Sequence, residues 1–376
     1  MSEIPDEIAA IRETFARFSD EQIAPRAEAI DEAGEFPREI FQEIGALGFF
    51  GMRYPEKVGG IGLGLFAYCK AVEEIARGSL SVAACVSMQS MMGTNFVYTL
   101  GDEEHHERLL KPAIRGEKIG TICITEPNAG SDLGSISTFA EKVKGGYRLN
   151  GQKMWVTLAP VADFFTVFAR AGEDKKLTIF LLERDFEGLD VGRAIHKMGV
   201  RALPTSELAI TDCFVPEANR LGEIGAGELE LRKILDQIRI MTGALAVGVA
   251  RAALADASRY AGERRQFGRP IGKFQALQLK LAEMATDLQA SSLIVDHAAR
   301  AFDTGKPVRQ IAAQAKLFAS EAALDICDKA ARVYASYGFA MEYPVQRHLR
   351  DIRFTLIGGG TSEILKLVIA HELAAE

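Results

Sequence analysis

Apolar positions near the start of the chain recur at helical spacing. Ile4, Ile8, Ile11 and Phe15 fall mostly three or four apart, so they share one helix face. Short helical segments of this kind are predicted up to about residue 120. Gly59-Gly-Ile-Gly-Leu-Gly64, after Pro55, interrupts them as a flexible connection; no strand precedes it and its glycines do not fit a dinucleotide loop. Between about 121 and 225 the texture turns to β-rich runs, Phe164-Phe-Thr-Val-Phe168, Leu177-Thr-Ile-Phe-Leu-Leu182 and Leu208-Ala-Ile210. Tyr147-Arg-Leu-Asn-Gly-Gln-Lys-Met-Trp155 carries Asn150-Gly151 at its centre, which predicts a hairpin turn there. From 226 on, long Ala- and Leu-rich helices return. Leu277, Leu281, Met284 and Leu288 form one apolar stripe, and another helix is predicted over roughly Val308 to Ala335. The pattern predicts an α+β protein with a helical section over 1–120, a β section over 121–225 and a helical section over 226–376. Without an internal repeat or a low-complexity linker, the three are expected to pack as one unit.

Composition narrows the classes. The 376 residues are 48% hydrophobic and 25% charged, ordinary values for a globular protein, and the net charge of −7 gives no footprint for nucleic acid or an anionic membrane. No run reaches the roughly 18 uninterrupted apolar residues of a membrane span. The acidic start, Met1-Ser-Glu-Ile-Pro-Asp-Glu7, lacks the regions of a signal peptide. A soluble, cytoplasmic protein is expected, and five scattered cysteines without a CxxC pair read as small buried residues of a reducing compartment. His105-His106, inside a charged run, reads as a solvated helix start rather than a metal site. The Met-rich run Ser87-Met-Gln-Ser-Met-Met92 suits either an acyl pocket or plain core.

The chemistry concentrates in Cys123-Ile-Thr-Glu-Pro-Asn-Ala-Gly-Ser-Asp132. Thr125 and Ser131 supply hydroxyls and Gly130 lets the main chain come close to a flat ring. Leu149-Asn-Gly-Gln-Lys-Met-Trp-Val-Thr157 follows, and downstream stand Arg264-Arg-Gln-Phe-Gly-Arg-Pro-Ile271, Glu342-Tyr-Pro-Val345, Leu349-Arg-Asp351 and Gly358-Gly-Gly-Thr-Ser-Glu-Ile364. In this order and spacing the set resembles the acyl-CoA dehydrogenase family over nearly the whole chain. The resemblance implies an N-terminal helical domain, a middle β domain and a C-terminal four-helix bundle. It also implies FAD as cofactor, an acyl-CoA or acyl-carrier thioester as substrate and, if the protein is redox-active, an electron-transferring flavoprotein as partner. Ile122, Ile124 and Thr125 would lie beside the flavin and Ser131 would face both cofactor and thioester. Trp155 and Thr157 would cover the ring's far side. Arg264, Phe267 and Gln275 would reach the flavin of a neighbouring subunit, which implies a homotetramer or dimer. Thr361 and Glu363 match a C-terminal flavin contact, Asp236 and Arg239 serve the thioester and CoA arm, and the backbone N–H of Gly359 polarises the thioester carbonyl.

Two departures stand out. Over 332–338 the sequence Arg-Val-Tyr-Ala-Ser-Tyr-Gly replaces the family's Gln-x-x-Gly-Gly-x-Gly: Arg332 stands for glutamine, and Ala335-Ser336 for bare glycine backbone. The pyrophosphate hold is expected to be looser or re-routed, with Arg332 as a compensating charge. The second departure is the base. α,β-Oxidation removes a Cα proton, so a carboxylate must sit against Cα. Family members carry it at the position of Gly359 or, in a minority, at that of Ile238; neither residue here accepts a proton. Asp236 lies about 200° around a helix from Ile238 and faces away, and Glu228 and Glu230 are expected to precede the helix. An FAD-dependent acyl-CoA oxidoreductase is therefore expected, beside three rivals. These are a non-oxidative lyase such as a sulfinoacyl-CoA desulfinase, a flavin-binding protein without turnover, and a helical module without cofactor.

Overall fold

The computed structural model describes residues 4–375. Helix α1 (Asp6–Phe18) buries Phe15 and leaves Ile8 and Ile11 half-buried on the face the spacing predicted. Helices α2 (Leu65–Gly78) and α3 (Leu80–Ser87) form the centre of the N-terminal section and are almost wholly buried. The helix start at 103 is capped by Asp102, whose carboxylate accepts from the His105 N–H (3.0 Å). His105 is buried and its ring bonds back to the Asp102 N–H, so it closes a capping box instead of facing solvent.

Residues 120–221 build one eight-stranded sheet from β1 (Gly120–Cys123), β2 (Phe139–Val143), β3 (Gly146–Thr157), β4 (Phe164–Ala171), β5 (Lys176–Glu183), β6 (Leu189–Val191), β7 (Thr205–Pro216) and β8 (Arg220–Leu221). The order is β6-β7-β3-β2-β4-β5-β8, with β1 pairing parallel to β4. The hairpin expected at Asn150-Gly151 is absent. β3 runs unbroken through both residues, and the turn lies earlier, where Gly145 (φ 82°) links β2 to β3. Asn150-Gly151 instead occupies a register shift against β7: Asn150 Oδ1 accepts from the Asp212 N–H (2.8 Å), and a Cβ on Gly151 would strike Thr138. The conformational tolerance of the pair is used for a bulge, not a turn.

The C-terminal section packs α4 (Gly227–Glu263), α5 (Gln275–Asp303) and α6 (Arg309–Tyr334), followed by α7 (Pro344–Ile352) and α8 (Ser362–Ala375). α4 is long and apolar enough to cross a membrane, yet 83% of its most apolar window is buried inside the protein, as befits a core helix. Polar ties lock the sections together. Buried Glu74 of α2 accepts from Arg251 of α4 (2.9 and 3.1 Å), Arg12 of α1 (2.8 Å) and Arg77 (3.0 Å). Asp351 of α7 accepts from the Val200 N–H beside the sheet (2.6 Å). All five cysteines are buried and free.

Candidate active site

The 122–132 loop leaves the sheet at β1 and is pinned to β3. The Thr125 carbonyl accepts from the Met154 N–H (2.8 Å), and Lys153, fully buried, donates to the Ile124 carbonyl (3.1 Å) and to Glu126 (2.8 Å). Glu126 also accepts from the N–H and hydroxyl of Ser137 and of Thr138 (2.5–3.0 Å). Burial pushes this carboxyl up, but the hydrogen bonds from Lys153, Thr138 and Ser137 win and hold it at about 2. The pair was within view in the sequence, since each of the two motifs contributes one charged residue to it.

Where β3 passes this loop, a second register shift against β7 holds Trp155 at φ 59° and leaves it 55% exposed. Thr157 ends the strand, its carbonyl accepting from the Thr121 hydroxyl (2.5 Å). A Cβ on Gly130 would meet nothing within 4 Å. A flat isoalloxazine needs an uncovered aromatic face and open backbone, which Trp155 and Gly130 each offer.

Between sheet and bundle lies a cleft of about 510 Å³, lined among others by Leu133, Gly134, Arg170, Asp236, Arg239 and Arg309. Arg239 donates to Asp236 (2.9 Å), while its Nε is buried without an acceptor among the described residues. Lys175, Lys176 and Arg232 add to the positive lining, which suits a polyanionic arm.

The two vacated base positions converge. A Cβ on Gly359 would lie 3.3 Å from Ile238 Cγ2 and 3.5 Å from the Thr242 hydroxyl, so both positions address one small volume. Thr242 Oγ1 donates to the Ile238 carbonyl (2.8 Å), and Ile238 itself is buried. Neither Glu228 nor Glu230 takes over. Glu228 and Glu230 lie inside the first turn of α4, not ahead of it, and pair with Arg232 (2.5 Å) and Lys233 (2.7 Å). Ten residues separate Glu228 from Ile238, about 15 Å along the axis. The Gly358-Gly-Gly360 turn is held from behind by a residue that motif reading missed. Lys316 of α6, fully buried, donates to the Gly360 carbonyl (2.6 Å), and burial pushes its ammonium down to about 8. Its signal in the sequence is a single charge on the face of Ala312, Ala315 and Ala319.

The remaining residues gather elsewhere. Arg264 ends α4 and lies over the Tyr337 ring (5.3 Å), beside Ser336; Gln275 opens α5, and Phe267 at the intervening turn is 92% exposed. Among the described residues no hydrogen bond joins this group to the 122–132 loop of the same chain. Arg332 is exposed and pairs with Asp328 (2.7 Å) on its own helix. Ala335 adopts φ 53°, ψ −129°, a conformation natural to glycine. Thr361 caps α8, its hydroxyl accepting from the Ile364 N–H (3.3 Å); bonds from its own backbone and from Thr361 hold Glu363 below the ordinary carboxylate range.

Comparison with known proteins matches the descriptions "Acyl-CoA dehydrogenase, N-terminal domain" to residues 5–117, "middle domain" to 121–213 and "C-terminal domain" to 226–374. The chain belongs to the acyl-CoA dehydrogenase family. It is 65% identical over 374 residues, 99% of each chain, to a protein of Aromatoleum aromaticum named benzylmalonyl-CoA dehydrogenase. The butyryl-CoA dehydrogenase of Megasphaera elsdenii superposes with a TM-score of 0.96 at 36% identity over 100% of both chains. A structure titled "PigA with FAD and proline" does so with 0.96 at 28% identity, covering 100% of this chain and 99% of that one. This acyl-CoA dehydrogenase is accordingly an FAD-dependent oxidoreductase of acyl-CoA thioesters. The matches lend nothing to the lyase, no-turnover or cofactor-free readings.

Proposed function

We propose that the substrate is an acyl-CoA carrying a carboxylate on Cα, of the arylmethylmalonyl type, and that loss of this carboxylate replaces proton abstraction. The observation that carries the reading is the pair Ile238 and Gly359: neither base position carries a carboxylate, and both address one small volume. The name of the Aromatoleum relative supports it. The bond from Cα to the carboxylate breaks, CO2 departs, and the electron pair remains on Cα, delocalised toward the thioester oxygen. It becomes the Cα=Cβ π bond as a hydride leaves Cβ, so the products are CO2 and a neutral aryl-enoyl-CoA. Bound FAD supplies the hydride acceptor. Ile238 excludes water from the departing carboxylate, and an anion shielded from water sheds its charge more readily. The Gly359 N–H, fixed through Lys316 and Gly360, faces the thioester oxygen and stabilises charge growing there. Anaerobic mixing with benzylmalonyl-CoA should bleach the flavin and release one CO2 per flavin, while 3-phenylpropanoyl-CoA leaves it oxidised. Rapid bleaching by 3-phenylpropanoyl-CoA, or reduction by benzylmalonyl-CoA without CO2, defeats the proposal.

Residue roles follow the same reading. Ile122, Ile124, Thr125, Trp155 and Thr157 hold the isoalloxazine, Ser131 faces cofactor and thioester, and Asp236 and Arg239 hold the CoA side. Gly130, Arg264, Phe267, Gln275, Arg332, Ser336, Thr361 and Glu363 hold FAD, with Arg264, Phe267 and Gln275 coming from a second subunit. The exposure of Phe267 (92%) and Phe339 (93%) supports a homo-oligomer. An electron-transferring flavoprotein is the proposed electron acceptor, and the proposed location is cytoplasmic. Arg239→Ala should weaken acyl-CoA binding and leave flavin content near normal, whereas Arg264→Ala should strip flavin. Equal flavin loss in both variants, read from the ratio of visible to ultraviolet absorbance, counts against this division.

A further inference from the structure

Among the described residues Arg53 is a cation without a counter-ion. It stands in the turn after the short helix Phe49–Gly51, its guanidinium over the rings of Tyr54 (5.6 Å) and Tyr68 (5.7 Å). One terminal nitrogen donates to the Gln237 side chain and the other to the Ser90 carbonyl (3.4 Å), both neutral acceptors. Its Nε is buried with no acceptor, and no carboxylate among the described residues forms an ion pair with it. Aromatic faces recover only part of the cost of withdrawing such a charge from water. The position of this unmet charge is informative. Gln237 immediately precedes Ile238, and Ser90 belongs to the Met-rich turn Met88–Gly93. The guanidinium is thus anchored to the same turn of α4 that carries a vacated base position.

We propose that Arg53 is the receptor for the substrate's Cα carboxylate, a role that rests on the decarboxylating reading above. A planar fork matches a carboxylate in two-point contact. Gln237 and Ser90 orient that fork while leaving its charge unspent, because neither is anionic. The grip comes from the side of Gln237 and Ser90, while Ile238, next to Gln237 in the same turn of α4, is apolar. Once CO2 has left, the product offers Arg53 no anion, so the residue separates substrate from product and from plain acyl-CoAs.

The test uses FAD-loaded wild type, Arg53→Gln and Arg53→Lys. The concentration dependence of anaerobic flavin reduction by benzylmalonyl-CoA is read beside a spectral titration with neutral cinnamoyl-CoA. Arg53→Gln should raise the half-saturating benzylmalonyl-CoA concentration on the order of 10²-fold and leave cinnamoyl-CoA binding unchanged. Arg53→Lys keeps the charge without the fork and should fall between, which preserves the test if the glutamine variant does not fold. Equal weakening of both ligands, or of neither, overturns the assignment. Wild type that benzylmalonyl-CoA fails to reduce would sink the decarboxylating reading itself. Reduction of wild type with an unselective Arg53→Gln sinks the arginine's role alone.

Discussion

Ile238→Glu should turn the protein into an ordinary dehydrogenase. A carboxylate on this turn of α4 enters the volume beside Gly359 and meets the Cα proton of an unbranched acyl-CoA, with Arg239 next to it to hold the charge. Flavin reduction by 3-phenylpropanoyl-CoA should rise by up to the roughly 10²–10⁴-fold that a positioned base contributes. Reduction by benzylmalonyl-CoA should fall in the same variant, because two carboxylates would compete for one space. Gly359→Glu is the poorer route: φ there is 73°, and the new Cβ would press on Ile238. Stopped-flow traces with the two thioesters check the exchange. A variant that gains on neither substrate means that the volume between Ile238 and Gly359 is not where Cα sits.

Lys153→Met should release the flavin loop. The substitution leaves Glu126 buried with only the Ser137 and Thr138 donors, and breaking a buried pair from one side costs about 3–5 kcal/mol. Denaturant melts should shift by that amount and flavin occupancy should drop with them. Acid gives an independent readout. Glu126 is held at about 2 against an ordinary 4.5, so its contribution is fully present above about 4.5 and is lost as pH falls toward 2. Wild type should therefore begin to release flavin only below about 4.5. In Lys153→Met, burial acts with less opposition, the carboxyl protonates at higher pH, and release should begin earlier. Identical acid profiles for the two proteins would show that the ion pair does not hold the loop.

The helical bundle was legible because alanine and leucine at helical spacing state their own element, and α6 ends within a residue of its predicted bounds. The β section was legible as texture but not as topology. Asn150-Gly151 advertises positive φ, and only pairing with β7 decides whether a turn or a bulge uses it. At the site, the absence of a base at Ile238 and Gly359 was readable one position at a time; that the two absences face each other was not. The same limit hid Arg53 and Lys316. Their partners lie 184 and 44 residues away, and no periodicity spans such distances.

Glu74 bears on how the chain is made. Its three arginines come from α1, α2 and α4, and the last of them, Arg251, contributes two of the four bonds. During synthesis the first 120 residues emerge long before Arg251 does. Until then a carboxylate destined for the interior has only part of its neutralising shell, so α1 and α2 cannot settle into their final packing on the ribosome. The N-terminal helices are thus translated early and completed late, and a nascent chain stopped short of residue 251 should remain open to protease around α2.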